Sequence, residues 1–425
     1  MTYAVAIFGL FMIIMIHEAG HFLAARAVGI RATRFFIFFP PRLVSFTRGG
    51  VEYGIGAIPL GGFVKLPGMF EPQPADAYWR VAAGVEQLIE SSTSDTARHE
   101  LRTLLARIEQ AASVEEIEVS CVALADHLDE HHNSASARLA SRMSRRLRDA
   151  ADDCHVHAYW RAPLWKRMVV ILAGPLANIL LALLIFWIVA ALLTPVYQYS
   201  WKIGRVVANS PAAIAGIKQH DVIVSWNGAH PGTTARQAER FADAVSASTG
   251  TPITISVRAR GSERVRTYRI VPRKIKGELR IGVLTQVEQR FDHYQRRGAG
   301  EASWIAVRVL GGTSHQVVTG LGRILNPDNL DEVSSVVGIV KVAPAWAKAG
   351  NLVGYLGILS LAIAIYNLLP LLPLDGGHVA FGLLERIRRG RPLPRVAFER
   401  YSMVGLLLML SLFFVGLGND LGLRG

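Results

Sequence analysis

The segment His17-Glu18-Ala19-Gly20-His21 brings two imidazoles and a carboxylate together along the chain. Residues four positions apart share one face of an α-helix, so His17 and His21 can bind the same metal ion. Glu18 lies beside them, where a general base would take the proton of an attacking water. The pattern predicts a catalytic zinc site with His17 and His21 as ligands and Glu18 as the base.

The surroundings of this motif are apolar, and we predict a transmembrane helix over roughly residues 3–26. Ionisable side chains cost roughly 2.5 kcal/mol or more inside a bilayer and mark functional sites there. Three of them in five residues are not plausible as a lipid-facing surface. The alternative interpretation is a satisfied polar patch between helices.

A catalytic zinc ion needs three protein ligands and one open position. The candidate third ligand is Asp375, which follows Pro370 and Pro373 at the end of another apolar run and precedes Gly376 and Gly377. The prolines end the helix, and the glycines let backbone segments approach closely. Without the first motif, Asp375 would be interpreted as a residue that caps a loop.

The composition is that of a membrane protein. The chain has 425 residues, of which 51% are hydrophobic and 19% charged, which excludes intrinsic disorder and disfavours an ordinary soluble enzyme. Each of four apolar runs is near the ~20 residues that a bilayer requires. The runs predict spans at roughly 3–26, 168–194, 352–372 and 401–417. The net charge of +13 comes largely from basic residues at membrane flanks, so we expect a lipid bilayer and no nucleic acid as partner.

In combination, the motifs resemble those of the bacterial site-2 proteases, a family of intramembrane zinc metalloproteases with a PDZ domain. The resemblance rests on the His17–His21 motif, on Asn367-x-x-Pro370-x-x-x-Leu374-Asp375-Gly376, and on Gly174-Pro175-Leu176-Ala177-Asn178. Residues 61–65 match the membrane-associated β region of the family, residues 200–275 resemble its PDZ domain, and residues 335–342 resemble the amphipathic segment before its third core helix.

The resemblance implies that Zn²⁺ is bound by His17, His21 and Asp375, and that Glu18 activates the water. It also implies that Asn178 and Asn367 contact the substrate backbone. Their other interpretation is that buried amides tie transmembrane helices together. The implied activity is hydrolysis of a single-pass membrane protein, such as an anti-sigma factor, in the bacterial inner membrane.

The predicted fold class is a polytopic α-helical membrane protein with a membrane-associated β hairpin or sheet. The positive-inside rule places residues 31–160 in the cytoplasm and the PDZ-like domain outside it. We expect Trp201–Gly204 to form the PDZ loop that binds a peptide C-terminus. A closed groove that acts only as a steric plug fits the sequence equally well. The predicted segments are a first transmembrane helix (1–30), the β region (31–76), a cytoplasmic helical insertion (77–160), a second transmembrane helix (161–195), an α/β PDZ-like domain (196–285), an amphipathic linker (286–350), a third transmembrane helix (351–380), and a basic cytoplasmic loop with the fourth (381–425).

The resemblance does not explain the insertion. Its helical periodicity predicts an accessory docking or regulatory bundle whose removal leaves a folded core. His127 and His131 are four residues apart, which is compatible with an accessory metal site or with a solvated helix face. Cys121 and Cys154 exclude a disulfide scaffold, although one bond between them is compatible with the sequence.

Two other functions fit parts of the sequence. A non-enzymatic membrane scaffold would use the PDZ-like domain to bind partners, but it has no need of Glu18 between two ligands. A metal transporter would need polar residues along a path through several spans, and the predicted second and fourth spans are nearly free of them.

Overall fold

The computed structural model describes residues 2–92, 94–130, 136–229, 251–259, 264–275, 278–324, 326–348, 350–390 and 394–423. The chain forms two compact units. One unit combines Met1–Phe186 with Ala306–Gly425, and the other is Trp187–Ile305.

Three helices in the described part are long and apolar enough to cross a membrane, namely α1 (Thr2–Val28), α6 (Leu164–Leu192) and α12 (Arg395–Asp420). A shorter apolar helix, α10 (Leu352–Asn367), has 16 residues, which is about 24 Å at the rise of an α-helix. The helix is shorter than the predicted span, because Pro370 and Pro373 interrupt the end of the apolar run.

After α1 the chain forms a small sheet from β1 (Arg34–Arg48) and β2 (Val51–Lys65), which pair antiparallel. Both glycines of the predicted turn, Gly49 and Gly50, have a positive φ. Residues 34–37 are in register with 52–55 on one side and with 62–65 on the other, while 42–48 pair with 51–56. Residues 62–65 are therefore an edge of this sheet.

A bundle of four helices follows, comprising α2 (Pro74–Ser91), α3 (Asp95–Glu109), α4 (Val114–Glu130) and α5 (Ala137–Cys154). Apolar residues at helical spacing fill its core, among them Val85, Ile108 and Leu147. Cys121 and Cys154 are buried in the same core, and both are free thiols. The disulfide that the sequence allowed is therefore absent.

The second unit contains a five-stranded antiparallel sheet. In spatial order its strands are β6 (Val265–Ile270), β5 (Ile253–Arg258), β4 (Val222–Trp226), β3 (Thr194–Val206) and β9 (Val283–Gln295). Its core includes Trp201, Ile203, Ile223 and Ile255. Residues 236–247, for which the sequence pattern predicts a helix, lie outside the described residues. The other elements of this unit are α7 (Pro211–Ile214) and a separate two-stranded sheet of β7 (Arg273–Ile275) and β8 (Glu278–Arg280).

Two expectations about this region are wrong. Trp201–Gly204 is not a loop, because it lies inside β3, where Trp201 pairs with Ile223 on one side and with Val287 on the other. The sheet also extends beyond residue 285, since β9 ends at Gln295. The remainder of the predicted linker forms α8 (Ala299–Ile324), a 3₁₀ turn (Pro327–Glu332) and α9 (Val336–Lys348).

Candidate metal centre

The two histidines of α1 face the same side of the helix, as their spacing predicts. His17 and His21 are both largely buried, and their Nε2 atoms lie 3.2 Å apart. Asp375 is the first residue of α11 (Asp375–Ile387) and brings its carboxylate to the same place. Its Oδ2 lies 3.1 Å from Nε2 of His17 and 3.3 Å from Nε2 of His21.

A tight turn at residues 368–374 presents Asp375 to the histidines. A β-carbon on Gly376 would overlap the carbonyl oxygens of Leu368 and Leu369, so only glycine allows this close return of the chain. The turn is supported by α12, because the hydroxyl of Tyr401 donates to the carbonyl of Pro370 at 2.7 Å.

The distances among the three atoms fit a zinc ion. Zinc binds nitrogen and oxygen ligands at about 2.0–2.2 Å in a tetrahedron, whose edges are then about 3.3–3.5 Å long. The three edges here are 3.1, 3.2 and 3.3 Å. In the described part of the chain, one group of three potential metal ligands has its ligand atoms this close together. It consists of His17, His21 and Asp375. They leave the fourth corner for water.

The outer nitrogens of both imidazoles also have partners that suit metal binding. A neutral histidine that binds a metal through Nε2 carries its proton on Nδ1 and donates it to an acceptor. For His21 the acceptor is the carbonyl of Val170, 2.8 Å from Nδ1. Nδ1 of His17 faces the side-chain amide of Asn178, which is fully buried and whose Nδ2 lies 3.4 Å away.

The orientation of the side-chain amide of Asn178 determines which of its atoms faces His17. Its Nδ2 faces His17, while its buried Oδ1 has no hydrogen-bond partner among the described residues. The two ends of a primary amide exchange places when the amide turns by 180°. After this turn Oδ1 accepts the Nδ1 proton of His17, which satisfies the oxygen and selects the tautomer that zinc requires.

Two glycines between α1 and α6 let these groups meet. A β-carbon on Gly174 would overlap Nε2 of His21, and one on Gly20 would lie 2.5 Å from the carbonyl oxygen of Ala173. Gly174 was part of the motif that carried the family resemblance, but its contact with His21 could not be predicted from its position in the chain. Small residues at helix contacts are the signal that points to such sites.

Glu18 is close to the ligands and to the edge of the β1–β2 sheet. Its carboxylate interacts electrostatically with His17, His21 and Asp375, and the backbone amide of Val64 on β2 contacts it. The same strand is close at Gly62, where a β-carbon would lie 3.5 Å from Cγ of Glu18.

The other residues that the sequence analysis singled out have no hydrogen bond to the three candidate ligands in the described part of the chain. The amide of Asn367 donates to the carbonyl of Ile363 in its own helix, at 3.0 Å. Of the two predicted asparagines, Asn178 alone has a hydrogen-bond contact with a candidate ligand in the described residues. His378 packs against the ring of Phe398. His131, the second residue of the hypothetical accessory site, lies outside the described residues.

Comparisons with known proteins give a consistent result. The family model described as Peptidase family M50 matches residues 5–412. Zinc metalloprotease RasP of Geobacillus kaustophilus is 28% identical to this chain, and the match covers 98% of this chain and 96% of the relative's length. Putative zinc metalloprotease Atu1380 of Agrobacterium fabrum is 29% identical, with 96% of this chain and 93% of its own covered. Regulator of sigma-W protease RasP of Bacillus subtilis is 27% identical over 98% and 97%.

These matches confirm the predicted family, enzyme class and metal. They also run through residues 77–160, which the resemblance had left unexplained. The family model covers nearly the whole chain, and the relatives named above are zinc metalloproteases. The chain therefore belongs to peptidase family M50, the site-2 proteases, and is an intramembrane zinc metalloprotease.

Proposed function

We propose that His17, His21 and Asp375 bind the zinc ion and that Glu18 is the general base of the protease. The observation that carries the proposal is the mutual distance of the three ligand atoms, which lie 3.1–3.3 Å apart on helices that are remote in sequence. Zinc, when bound, polarises the scissile carbonyl and lowers the pKa of the attacking water.

Glu18 acts first as the general base and then as the general acid in this reaction. It accepts the proton of the attacking water and returns it to the nitrogen of the leaving amine. The amide of Val64 orients its carboxylate, and the outer hydrogen bonds of His17 and His21 hold the imidazoles.

We further propose that the substrate binds as an extended strand beside residues 62–65. A helical peptide bond is shielded by its own backbone, so a membrane-spanning substrate must unwind before it is cleaved. The edge at 62–65 pairs with residues 34–37, and the backbone amide of Val64 in this edge contacts Glu18. Strand addition to this edge would bring an extended backbone to the base. Asn178 and Asn367 are further candidates for contacts with that backbone.

The proposed substrate is a single-pass membrane protein, and one relative is named a regulator of sigma-W. An anti-sigma factor is therefore a suitable substrate class. We propose that the chain crosses the bacterial inner membrane four times. The shortest of the four spans consists of α10 and the turn after it. The cytoplasmic location of residues 31–160 rests on the flanking basic residues. The antiparallel sheet of the second unit is compatible with a PDZ-like domain, and the same count of basic residues places that domain outside the cytoplasm. A peptide C-terminus is a further candidate partner of this domain.

The proposal is tested by incubating purified, detergent-solubilised protein with a panel of single-span membrane substrates and by quantifying zinc in the same samples. The variant Glu18→Gln should keep its zinc and lose cleavage. Glu90→Gln is the matched control, because Glu90 is exposed on α2. Cleavage by Glu18→Gln at the wild-type rate would overturn the role of the base, and wild-type protein without zinc would overturn the metal centre.

A further inference from the structure

The helical bundle contacts the β1–β2 sheet through acidic residues at the end of α5. Asp149 carries the central contact, because its Oδ1 lies 3.0 Å from Nη2 of Arg34 and 2.7 Å from Nζ of Lys65. Arg34 and Lys65 are partners across the ladder between β1 and β2. One carboxylate therefore bridges the two strands at the same level of the sheet.

Neighbouring groups strengthen this connection at both ends of the sheet. Asp152 lies 2.8 Å from Arg31, just before β1. Asp153 accepts the backbone amide of Gly68, just after β2, at 2.8 Å. Gly68 has a φ of +69°, and a β-carbon there would lie 2.8 Å from the carbonyl oxygen of Asp153. The bundle thus contacts the chain where it leads into the sheet and where it leaves.

The ion pairs form a network rather than isolated surface contacts. Arg34 also contacts Glu52 of β2 at 3.1 Å, so it links the bundle to a second segment of the sheet. The side chains of Asp149, Arg34 and Lys65 are 25–28% exposed. Networks of partly buried charges contribute more to stability than single exposed ion pairs do.

The network ends beside the catalytic base. Lys65 follows Val64, whose backbone amide contacts Glu18, and both belong to the edge at 62–65. We infer that Asp149 is a positioning residue of the active site, which holds Arg34 and Lys65 together and so keeps the edge at 62–65 against Glu18. The inference deepens the proposed function and rests on it for the role of Glu18. It also makes the bundle part of the catalytic architecture instead of an accessory module.

Hydrogen exchange of the full-length, zinc-loaded protein in detergent tests this inference without a substrate. In Asp149→Asn, the amides of residues 62–65 should exchange about fivefold faster, the effect of losing about 1 kcal/mol of local stability. Asp149→Glu should restore most of the protection. Asp126→Asn is the matched control, because Asp126 pairs with Arg148 of α5 at 2.9 Å, a contact between two helices of the bundle.

Kinetics supply the second measurement. Asp149→Asn should lower kcat/KM for a membrane substrate by about fivefold while zinc content stays at the wild-type level, and Asp126→Asn should leave both unchanged. Unchanged exchange at 62–65 in Asp149→Asn would overturn the inference. Equal acceleration in the core of α2–α4 would also overturn it, because that result means general unfolding of the bundle. Since exchange needs no substrate, a failure of the proposed protease chemistry is distinguishable from a failure of this inference.

Discussion

Gly174 of α6 faces the imidazole of His21 on α1 with no room for a side chain between them. A β-carbon at this position would overlap Nε2 of His21 and would lie 2.9 Å from Nε2 of His17. These two nitrogens are the ones that point to the carboxylate of Asp375. The absence of a side chain at this position of α6 is thus a requirement of the proposed metal centre.

Replacing Gly174 by alanine should displace the imidazoles and weaken zinc binding by at least about tenfold, with a parallel loss of proteolysis. Zinc titration against a competing chelator measures the first effect. Gly312→Ala is the control, because Gly312 also lies in a helix but, beyond its own helix backbone, no atom of the described residues lies within 4 Å of the added carbon. Wild-type zinc affinity in Gly174→Ala would show that the contact is not tight.

Asp375→Ala should lose both zinc and activity, since two histidines alone leave the ion with too few protein ligands. Metal analysis of the purified protein measures the first loss. His378→Ala, three residues further along α11, is the comparison and should keep its zinc, because His378 packs against Phe398. Full zinc content in Asp375→Ala would refute the assignment of Asp375 as a ligand.

Asn178→Ala should weaken zinc binding or activity by about 10- to 100-fold, the usual effect of losing a partner of a metal-bound histidine. Asn178→Asp keeps an oxygen acceptor for Nδ1 of His17 and should recover part of the loss. The alternative role, contact with the substrate backbone, predicts a different result. In that case Asn178→Ala would bind zinc normally and would only raise KM.

The thiols of Cys121 and Cys154 should be unreactive in the folded protein. Burial raises the pKa of each thiol to about 12. At pH 8 only about one thiol in ten thousand is then ionised, and the thiolate is the form that reacts. Alkylation followed by mass spectrometry should add no group to the native protein and two groups after denaturation. Rapid labelling of the native protein would contradict the burial of this core.

The sequence predicted those features of the site that depend on local geometry. His17 and His21 share a face because the period of an α-helix places residues four apart together. Pro370 and Pro373 predicted the end of an apolar helix, and α10 ends at Asn367 just before them. The ionisable residues within an apolar helix predicted the candidate site, because a bilayer tolerates such residues poorly.

The errors concern segments whose structure depends on a distant partner. Trp201–Gly204 resembled a binding loop, but β4 and β9 pair with it on both sides and make it an inner strand. The sheet of the second unit continues past the predicted domain end at residue 285, because β9 pairs with β3 as far as Gln295. Strand pairing is a contact between remote segments, and the amphipathic pattern of one segment does not encode its partner.

By itself, therefore, the sequence determined the identity of the chemical groups, the family and the local elements that carry them. Only the tertiary structure decided which groups meet. Asp375 is 358 positions from His17 in the chain, yet their side chains are 3.1 Å apart. The approach of Gly174 to His21, the tautomer that Asn178 selects for His17, and the bridge from Asp149 to the sheet are of the same kind. Each depends on how helices and strands pack, which is determined by the fit of whole surfaces and not by the spacing of residues within one element.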